Sequence, residues 1–479
     1  MSKKKFYKSF LVLTVVLLLF QTLSLYSFAQ QSENSDPSVY ADADPSADPS
    51  GGEQAGEKLK AYPGAEGFGA YSTGGRGGEV YHVTNLEPSG EGSLTYGLEE
   101  LSGARTIVFD VGGVIDLTEL GRAIQLSGTE DSGITIAGQS APYPGITLKG
   151  YGISITNASD IIIRNIRIRN GGVRPDGELY DATPLAISAS ENIIVDHCSM
   201  QWGQMYSFEI TGKDITLSNN ILGASLSENS AYERGSAQYG GVIDSGAERA
   251  TFAKNFVGDA NQRGPRFINT DYADAYNNII YNFNYGIEGY NMDSVNKNFK
   301  LNIRDNYSIQ GPDFRARNMI RVTRRENVNG GNIVYLDGNY CYYSGSDHLI
   351  DDIDQSSASY FGDVLNFGSD NGAAGSDYDL SSVTLEEWEN NPASYRVVGS
   401  TQTPLVYGNY PFYAPTGEIM SVFDESGANN LINYAVTDKS IGANRPARDL
   451  YDTMTLAEIG GGTATTASLT SEETAAYFE

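Results

Sequence analysis

The residues of this chain best suited to chemistry are two arginines that follow a short apolar run. Arg263 and Arg266 lie in Gln262-Arg263-Gly264-Pro265-Arg266-Phe267, shortly after the β-type run Phe256-Val257. A guanidinium is planar, very hard to deprotonate and shaped to grip a carboxylate with two hydrogen bonds. Its residue type alone therefore predicts that Arg263 is a carboxylate clamp. The Gly-Pro spacing favours this interpretation over an ordinary surface ion pair.

These arginines sit in a repeat. The runs 193–198, 215–222 and 250–257 share one shape, in which apolar residues lead to a polar pair and then to further apolar residues. A unit this short cannot bury its own apolar face, so neighbouring units must stack. Similar runs occur before and after these three, at intervals that average about 28 residues.

Aligned by their polar pair, the runs place six asparagines in one register, where they could bond up the stack as a ladder. His197 falls in the same register, so we interpret it as structural. The aligned asparagines are Asn165, Asn220, Asn255, Asn278, Asn306 and Asn339. The spacing predicts an all-β fold, a right-handed parallel β-helix (solenoid) with loop insertions and a C-terminal cover segment. The blades of a propeller would be longer, and a sandwich would show regularly spaced hairpin turns.

The composition restricts the partners. The chain of 479 residues carries 60 acidic and 32 basic side chains and a net charge of −28. Such a chain will not bind nucleic acid, and it can hold a polyanion only through a local arginine cluster or a cation. Cys198 and Cys341 lie five predicted coils apart, roughly 24 Å at about 4.8 Å per coil. We therefore predict two free, buried thiols.

The N-terminus predicts export. Four lysines, a short apolar run and Ser27-Phe28-Ala29 are typical of a signal peptide over residues 1–29. Residues 30–58 form a flexible acidic leader. Residues 59–455 are the β-helix domain, and 456–479 are a C-terminal tail with a short helix. The expected product is a secreted, extracellular monomer with no membrane contact.

Six motifs occur in order along residues 60–455. They are Ala61–Gly69 with Gly74–Gly78, Asp181-Ala182, Val195–Ser199 with Trp202-Gly203, Tyr239-Gly240-Gly241, Arg263–Phe267 and Ile441–Asp449. Together they resemble polysaccharide lyase family 1, the pectate lyases. The resemblance implies β-elimination on pectate or polygalacturonate, the acidic polysaccharide of plant cell walls. Hydrolysis would need paired carboxylic acids, and that pattern is absent from the sequence.

The resemblance also implies roles for single residues. Arg263 matches the catalytic arginine, thought to take the C5 proton of the sugar. Arg266 matches the second arginine of that motif, as a substrate-binding or supporting residue. Arg234 falls where the family usually has a substrate-binding lysine. Asp181 matches a calcium-binding aspartate, an oxygen ligand suited to a hard cation.

The chain departs from the family after Trp202-Gly203. Relatives usually carry acidic residues of the calcium site there, and this chain has Gln204–Ser207 instead. Glu209, on the same strand parity as Met205, is the candidate substitute ligand. Three interpretations stay open: a calcium lyase, a metal-independent enzyme of the pectin lyase kind, and a non-catalytic carbohydrate-binding β-helix. Trp202 is suited either to stacking on a sugar or to packing, and Arg167 and Arg169 either to ion pairs or to the groove.

Overall fold

The computed structural model describes the central part of the chain. The described residues are 58–171, 182–226, 238–244, 246–291, 299–312, 318–324, 332–343, 345–350, 365–369, 405–407, 417–438 and 440–459. The predicted signal peptide, the leader up to residue 57, Asp181, Arg234 and the tail beyond residue 459 lie outside them. The described residues belong to one compact unit.

The strands, numbered β1 to β28 along the chain, pair almost entirely in parallel and stack as three ladders. Sheet 1 consists of β1 (Glu79–Val83), β2 (Arg105–Phe109), β5 (Ile134–Ala137), β8 (Ser159–Arg164), the second parts of β10 (Leu185–Asp196) and β12 (Phe208–Ser218), β15 (Arg249–Ala253), β18 (Tyr272–Tyr276), β21 (Phe299–Arg304), β24 (Asn332–Asp337) and β28 (Leu405–Tyr407).

Sheet 2 consists of β4 (Ile124–Ser127), β7 (Ile153–Thr156), the first parts of β10 and β12, β14 (Gly241–Ile243), β17 (Arg266–Ile268), β20 (Tyr285–Asn291), β23 (Asn318–Arg324) and β27 (Leu365–Ser369). Sheet 3 consists of β3 (Gly113–Asp116), β6 (Ile146–Lys149), β9 (Ile166–Arg169), β11 (Ser199–Gln201), β13 (Ile221–Gly223), β16 (Phe256–Ala260), β19 (Ile279–Phe283), β22 (Tyr307–Ile309), β25 (Tyr340–Tyr343) and the antiparallel β26 (Ser346–Leu349). The predicted parallel β-helix is confirmed.

The core is a column of aliphatic and aromatic residues between the sheets. In sheet 1, Ile163, Val195 and Leu217 lie in register on successive coils, and each is at most 2% exposed. Every coil buries the apolar face of the next one, which is the reason the repeat folds only as a stack. Cys198 and Cys341 are buried and free, as predicted.

The asparagine ladder runs along the corner between sheets 1 and 3, and it is shorter than predicted. Asn220, Asn255, Asn278, Asn306 and Asn339 bond in series, each side-chain oxygen accepting from the asparagine one coil before. The next position up the stack is Cys198, whose N–H donates to the Asn220 oxygen at 2.8 Å. The predicted register was therefore wrong by one residue at Asn165 and His197. Both occupy the preceding turn position with positive φ, 56° and 52°.

The ends of the described chain cover two outer faces of the stack. The glycine-rich start lies on sheet 1, where a Cβ on Gly69 would stand 2.2 Å from the Ile193 carbonyl oxygen. The predicted C-terminal cover packs Val422, Leu431 and Leu456 on the outer side of sheet 3. It contains the short helix α1 (Asn430–Ile432) and α2 (Leu450–Ile459), which crosses the predicted boundary at residue 455. Neither described helix is long and apolar enough to cross a membrane.

Candidate active site on sheet 2

The site is built where three successive coils turn into sheet 2. Tyr206, Tyr239 and Arg263 stand just before β12, β14 and β17, and backbone bonds fix the three turns to one another: Tyr239 N–H donates to Met205 O at 3.0 Å, and Gly241 N–H donates to Arg263 O at 2.7 Å. A Cβ on Gly240 would lie 2.3 Å from the Arg263 carbonyl oxygen. The motif Tyr239-Gly240-Gly241 thus needs glycine for this close approach.

Arg263 is held at both its backbone and its side chain. Its φ is 63°, in the left-handed region that is uncommon for a residue with a Cβ. Its N–H donates to Glu288 Oε2 at 2.9 Å, and its Nη1 donates to the hydroxyl of Tyr206. The guanidinium carbon lies 4.0 Å from the ring centre of Tyr239 and 4.9 Å from that of Tyr206. The side chain therefore packs against two neighbouring aromatic rings, whose centres are 5.5 Å apart.

This packing changes the acidity of Arg263. Burial is the main cause, the charge of Arg266 is the second, and Glu288 opposes both. Together they lower the pKa of Arg263 to about 9. Its Nε is buried and makes no hydrogen bond within the described structure. The clamp predicted from residue type alone can thus exist partly as a neutral base.

A charged row crosses sheet 2 beside Arg263. Arg266 of β17, Glu288 of β20 and Arg321 of β23 are register partners on neighbouring strands. Glu288, with a side chain only 3% exposed, accepts from Arg266 at 2.8 Å and from Arg321 at 3.4 Å. The guanidinium groups of Arg266 and Arg321 and the main-chain N–H of Arg263 thus all bond to one carboxylate. The arginine cluster that an acidic protein needs for a polyanion is present here.

Glu209 lies in the same row, separated from Arg266 by Val242. Partial desolvation and then the charge of Asp244 raise the pKa of the Glu209 carboxyl. Among the described residues no group of three or more histidine, cysteine or acidic side chains is placed to hold a metal. Glu209 and Asp244 are oxygen donors of the kind that calcium prefers. They form a calcium site only together with further ligands, and Asp181 lies outside the described residues.

Several sequence candidates lie away from this site. Trp202 is fully buried and packs edge-on against Tyr451 of α2 at 4.8 Å, so it is a packing residue. Arg169 pairs with Asp452 at 2.8 Å and with Asp449 at 3.2 Å beneath the C-terminal cover. Arg167 joins the same buried group. Arg234, like Asp181, lies outside the described residues, so its substrate-binding role stays a prediction.

Sequence reasoning missed Glu288, Arg321 and the two tyrosines. Glu288 and Arg321 stand 22 and 55 residues after Arg266 on the next two coils. Projecting Arg266 by the intervals between the ladder asparagines, 23 and 28 residues, reaches positions 289 and 317 instead, because the loops differ in length from coil to coil. Tyr206 was noticed only as a departure from the family pattern, and its contact with Arg263 depends on how the turns stack.

A parallel β-helix with an arginine-centred site on one sheet is the class that this fold and site define. No family model matches the chain. A probable pectate lyase C of Aspergillus terreus is 40% identical over 256 residues, which are 53% of this chain and 55% of that protein. One from Neosartorya fischeri is 37% identical over 314 residues, 64% of this chain and 67% of the relative. The chain belongs to the pectate lyase family.

The match does not extend over the whole of most relatives. The chain spans little more than half the length of the Aspergillus terreus protein and 59% of the one from Emericella nidulans. Among solved structures, the thermostable pectate lyase PL 47 is 17% identical with a TM-score of 0.43, covering 66% of this chain and 91% of that one. A pectate lyase C mutant in complex with pentagalacturonic acid is 16% identical with a TM-score of 0.41, covering 81% and 99%.

Proposed function

We propose that this protein is a secreted, monomeric polysaccharide lyase that cleaves pectate-type polyuronate by β-elimination, with Arg263 as the base. The carrying observation is the geometry of Arg263, which packs against Tyr206 and Tyr239 beside Arg266; this burial, with the charge of Arg266, lowers its pKa to about 9. At pH 8 about one molecule in ten then has a neutral guanidine, against roughly one in 30,000 at an unperturbed pKa of 12.5. Arg263 can therefore accept a proton at mildly alkaline pH.

The chemistry balances within the site. Arg263 takes the C5 proton, the C5–H electrons form the C4=C5 double bond, and the C4–O bond to the next sugar breaks. The departing oxygen takes up a proton, so the products are a reducing end and an unsaturated sugar. Arg266 and Arg234 bind uronate carboxylates. We assign calcium to Asp181 and Glu209, with Asp244 as a neighbour; when bound, calcium neutralises the carboxylate next to C5 and makes its proton more acidic.

A second candidate is a metal-independent enzyme of the pectin lyase kind, acting on methylated polymer. Tyr206 favours it, because an aromatic ring against Arg263 occupies the segment where the family usually carries acids. Measuring the ultraviolet absorbance of the unsaturated product separates the two. Polygalacturonate cleavage that a chelator abolishes supports the calcium enzyme, and methylated-pectin cleavage indifferent to the chelator supports the second candidate.

The decisive variant is Arg263→Lys. General-base catalysis contributes about 100- to 10,000-fold, so we expect a loss of that size in kcat/KM. Arg304→Lys is the matched control, because Arg304 is a buried arginine that pairs with Asp274 at 2.7 Å on sheet 1, whereas the Arg263 site lies on sheet 2. A folded wild-type protein that forms no unsaturated product but binds the polymer, with Arg263→Lys binding equally well, would make this chain a carbohydrate-binding β-helix instead.

A further inference from the structure

Glu288 is the one described carboxylate that contacts both arginines of the Arg263–Phe267 motif. It accepts the main-chain N–H of Arg263 at 2.9 Å. It also accepts from Arg266 Nε at 3.2 Å and from Arg266 Nη2 at 2.8 Å. Arg321 completes the group from the next strand. A carboxylate that served only as an ion-pair partner would have no reason to bind the backbone of Arg263.

The backbone bond acts at a residue whose backbone conformation is unfavourable for a side chain with a Cβ. Arg263 adopts a φ of 63°, which costs a residue with a Cβ some stability. Glu288 itself is anchored in β20, whose register with β17 is fixed by Arg266↔Glu288 and Phe267↔Gly289. The position of the Arg263 turn is thereby tied to a rigid strand of the following coil.

We propose that Glu288 is a positioning residue that fixes the Arg263 turn through its N–H and offsets the charge of Arg266 beside it. This inference rests on the proposed lyase function. It extends that function by naming the residue that controls the position and the protonation state of Arg263. Glu288 does not contact the reacting atoms and acts only through Arg263 and Arg266.

The charge of Glu288 also sets how readily Arg263 loses its proton. The charged and titratable groups that face Arg263 are Tyr206, Tyr239, Arg266 and Glu288, and Arg321 reaches this group through Glu288. Glu288 raises the pKa of Arg263, whereas burial and Arg266 lower it. Glu288→Gln keeps an acceptor for the N–H but removes the charge. The pKa of Arg263 should then fall further.

The first test is the pH profile of kcat/KM for unsaturated product. In Glu288→Gln the acidic limb should move to lower pH by about one unit, since removing an opposite charge at this range shifts a pKa by that order. The plateau should fall because a weaker base is left. Glu288→Asp keeps the charge, so the acidic limb of the pH profile should stay at the wild-type pH while kcat/KM falls. Asp274→Asn, a buried carboxylate paired with Arg304 on sheet 1, is the matched control and should leave the limb in place.

The second test does not depend on activity. Phenylglyoxal reacts with neutral guanidine, and peptide mass spectrometry reports the modification of Arg263 alone. The midpoint pH of its labelling should fall in Glu288→Gln and stay unchanged in Glu288→Asp and Asp274→Asn. An unchanged midpoint in folded Glu288→Gln overturns the proposal. If the wild type forms no unsaturated product, the lyase assignment fails, and the labelling midpoint still decides the role of Glu288.

Discussion

Two tyrosine rings contact Arg263, but among the described contacts only one of the two hydroxyl groups forms a hydrogen bond with it. Removing each hydroxyl should therefore have a different effect. Tyr206 accepts from Arg263 Nη1, whereas Tyr239 contributes its ring face at 4.0 Å. Tyr206→Phe removes one hydrogen bond to a group that is charged for most of the time at pH 8. Tyr239→Phe keeps the ring and removes a hydroxyl with no described bond to Arg263.

The magnitude follows from the position of the guanidine. The bond to Tyr206 stabilises the charged form of Arg263, which is not the base, so its loss acts by misplacing the base, and a misplacement of about 1 Å costs on the order of 100-fold. Tyr206→Phe should therefore lower kcat/KM by about 10- to 100-fold, whereas Tyr239→Phe, which breaks no described bond to Arg263, should stay within about twofold.

The assay is the initial rate of unsaturated product on polygalacturonate at pH 8, with the unfolding midpoint of each variant measured in parallel. The Tyr206 ring is only 8% exposed, so the parallel measurement separates lost positioning from lost packing. Equal rates for the two variants, close to wild type, would refute the reasoning that Arg263 is positioned through its side chain.

Two further predictions concern the stack that carries the site. Asn278→Ala should lower the free energy of unfolding, measured by denaturant titration, by about 3–5 kcal/mol, because it deprives the Asn255 N–H of its acceptor and the Phe252 carbonyl of its donor. The control Asn430→Ala removes one exposed hydrogen bond and should lower the free energy of unfolding by less than about 1 kcal/mol. Burial alone would raise the pKa of Asp196, but His197 and Arg164 outweigh it and hold that pKa well below its usual range. The stability from this depressed pKa is present above the unfolded value of about 3.9 and is lost as pH falls below it towards the folded value. The unfolding free energy of Asp196→Asn should therefore depend less steeply on pH between about 4 and 2 than that of wild type. A slope equal to wild type would contradict this.

The architecture could be predicted because each coil of a solenoid appears in the sequence as a repeated local pattern. Each coil stacks on a neighbour of the same kind, so apolar runs and asparagines recur at the coil interval, and five of the six predicted ladder residues bond as expected. The error at Asn165 and His197 is a shift of one residue. It arose because the αL turn position also favours asparagine, and the two adjacent polar positions look alike in sequence.

The sequence by itself determined the repeat and the arginine motif, because each depends on residue type and spacing within one or two coils. It also determined the free thiols, because the number of coils between the two cysteines places them too far apart for a disulfide. Only the tertiary structure decided the role of Trp202, since its partner Tyr451 comes from the cover some 250 residues later. It also decided the ionisation of Arg263. Burial against Tyr206 and Tyr239 and the opposed charges of Arg266 and Glu288 depend on which turns of successive coils lie next to one another. The loop lengths that determine this follow no regular period.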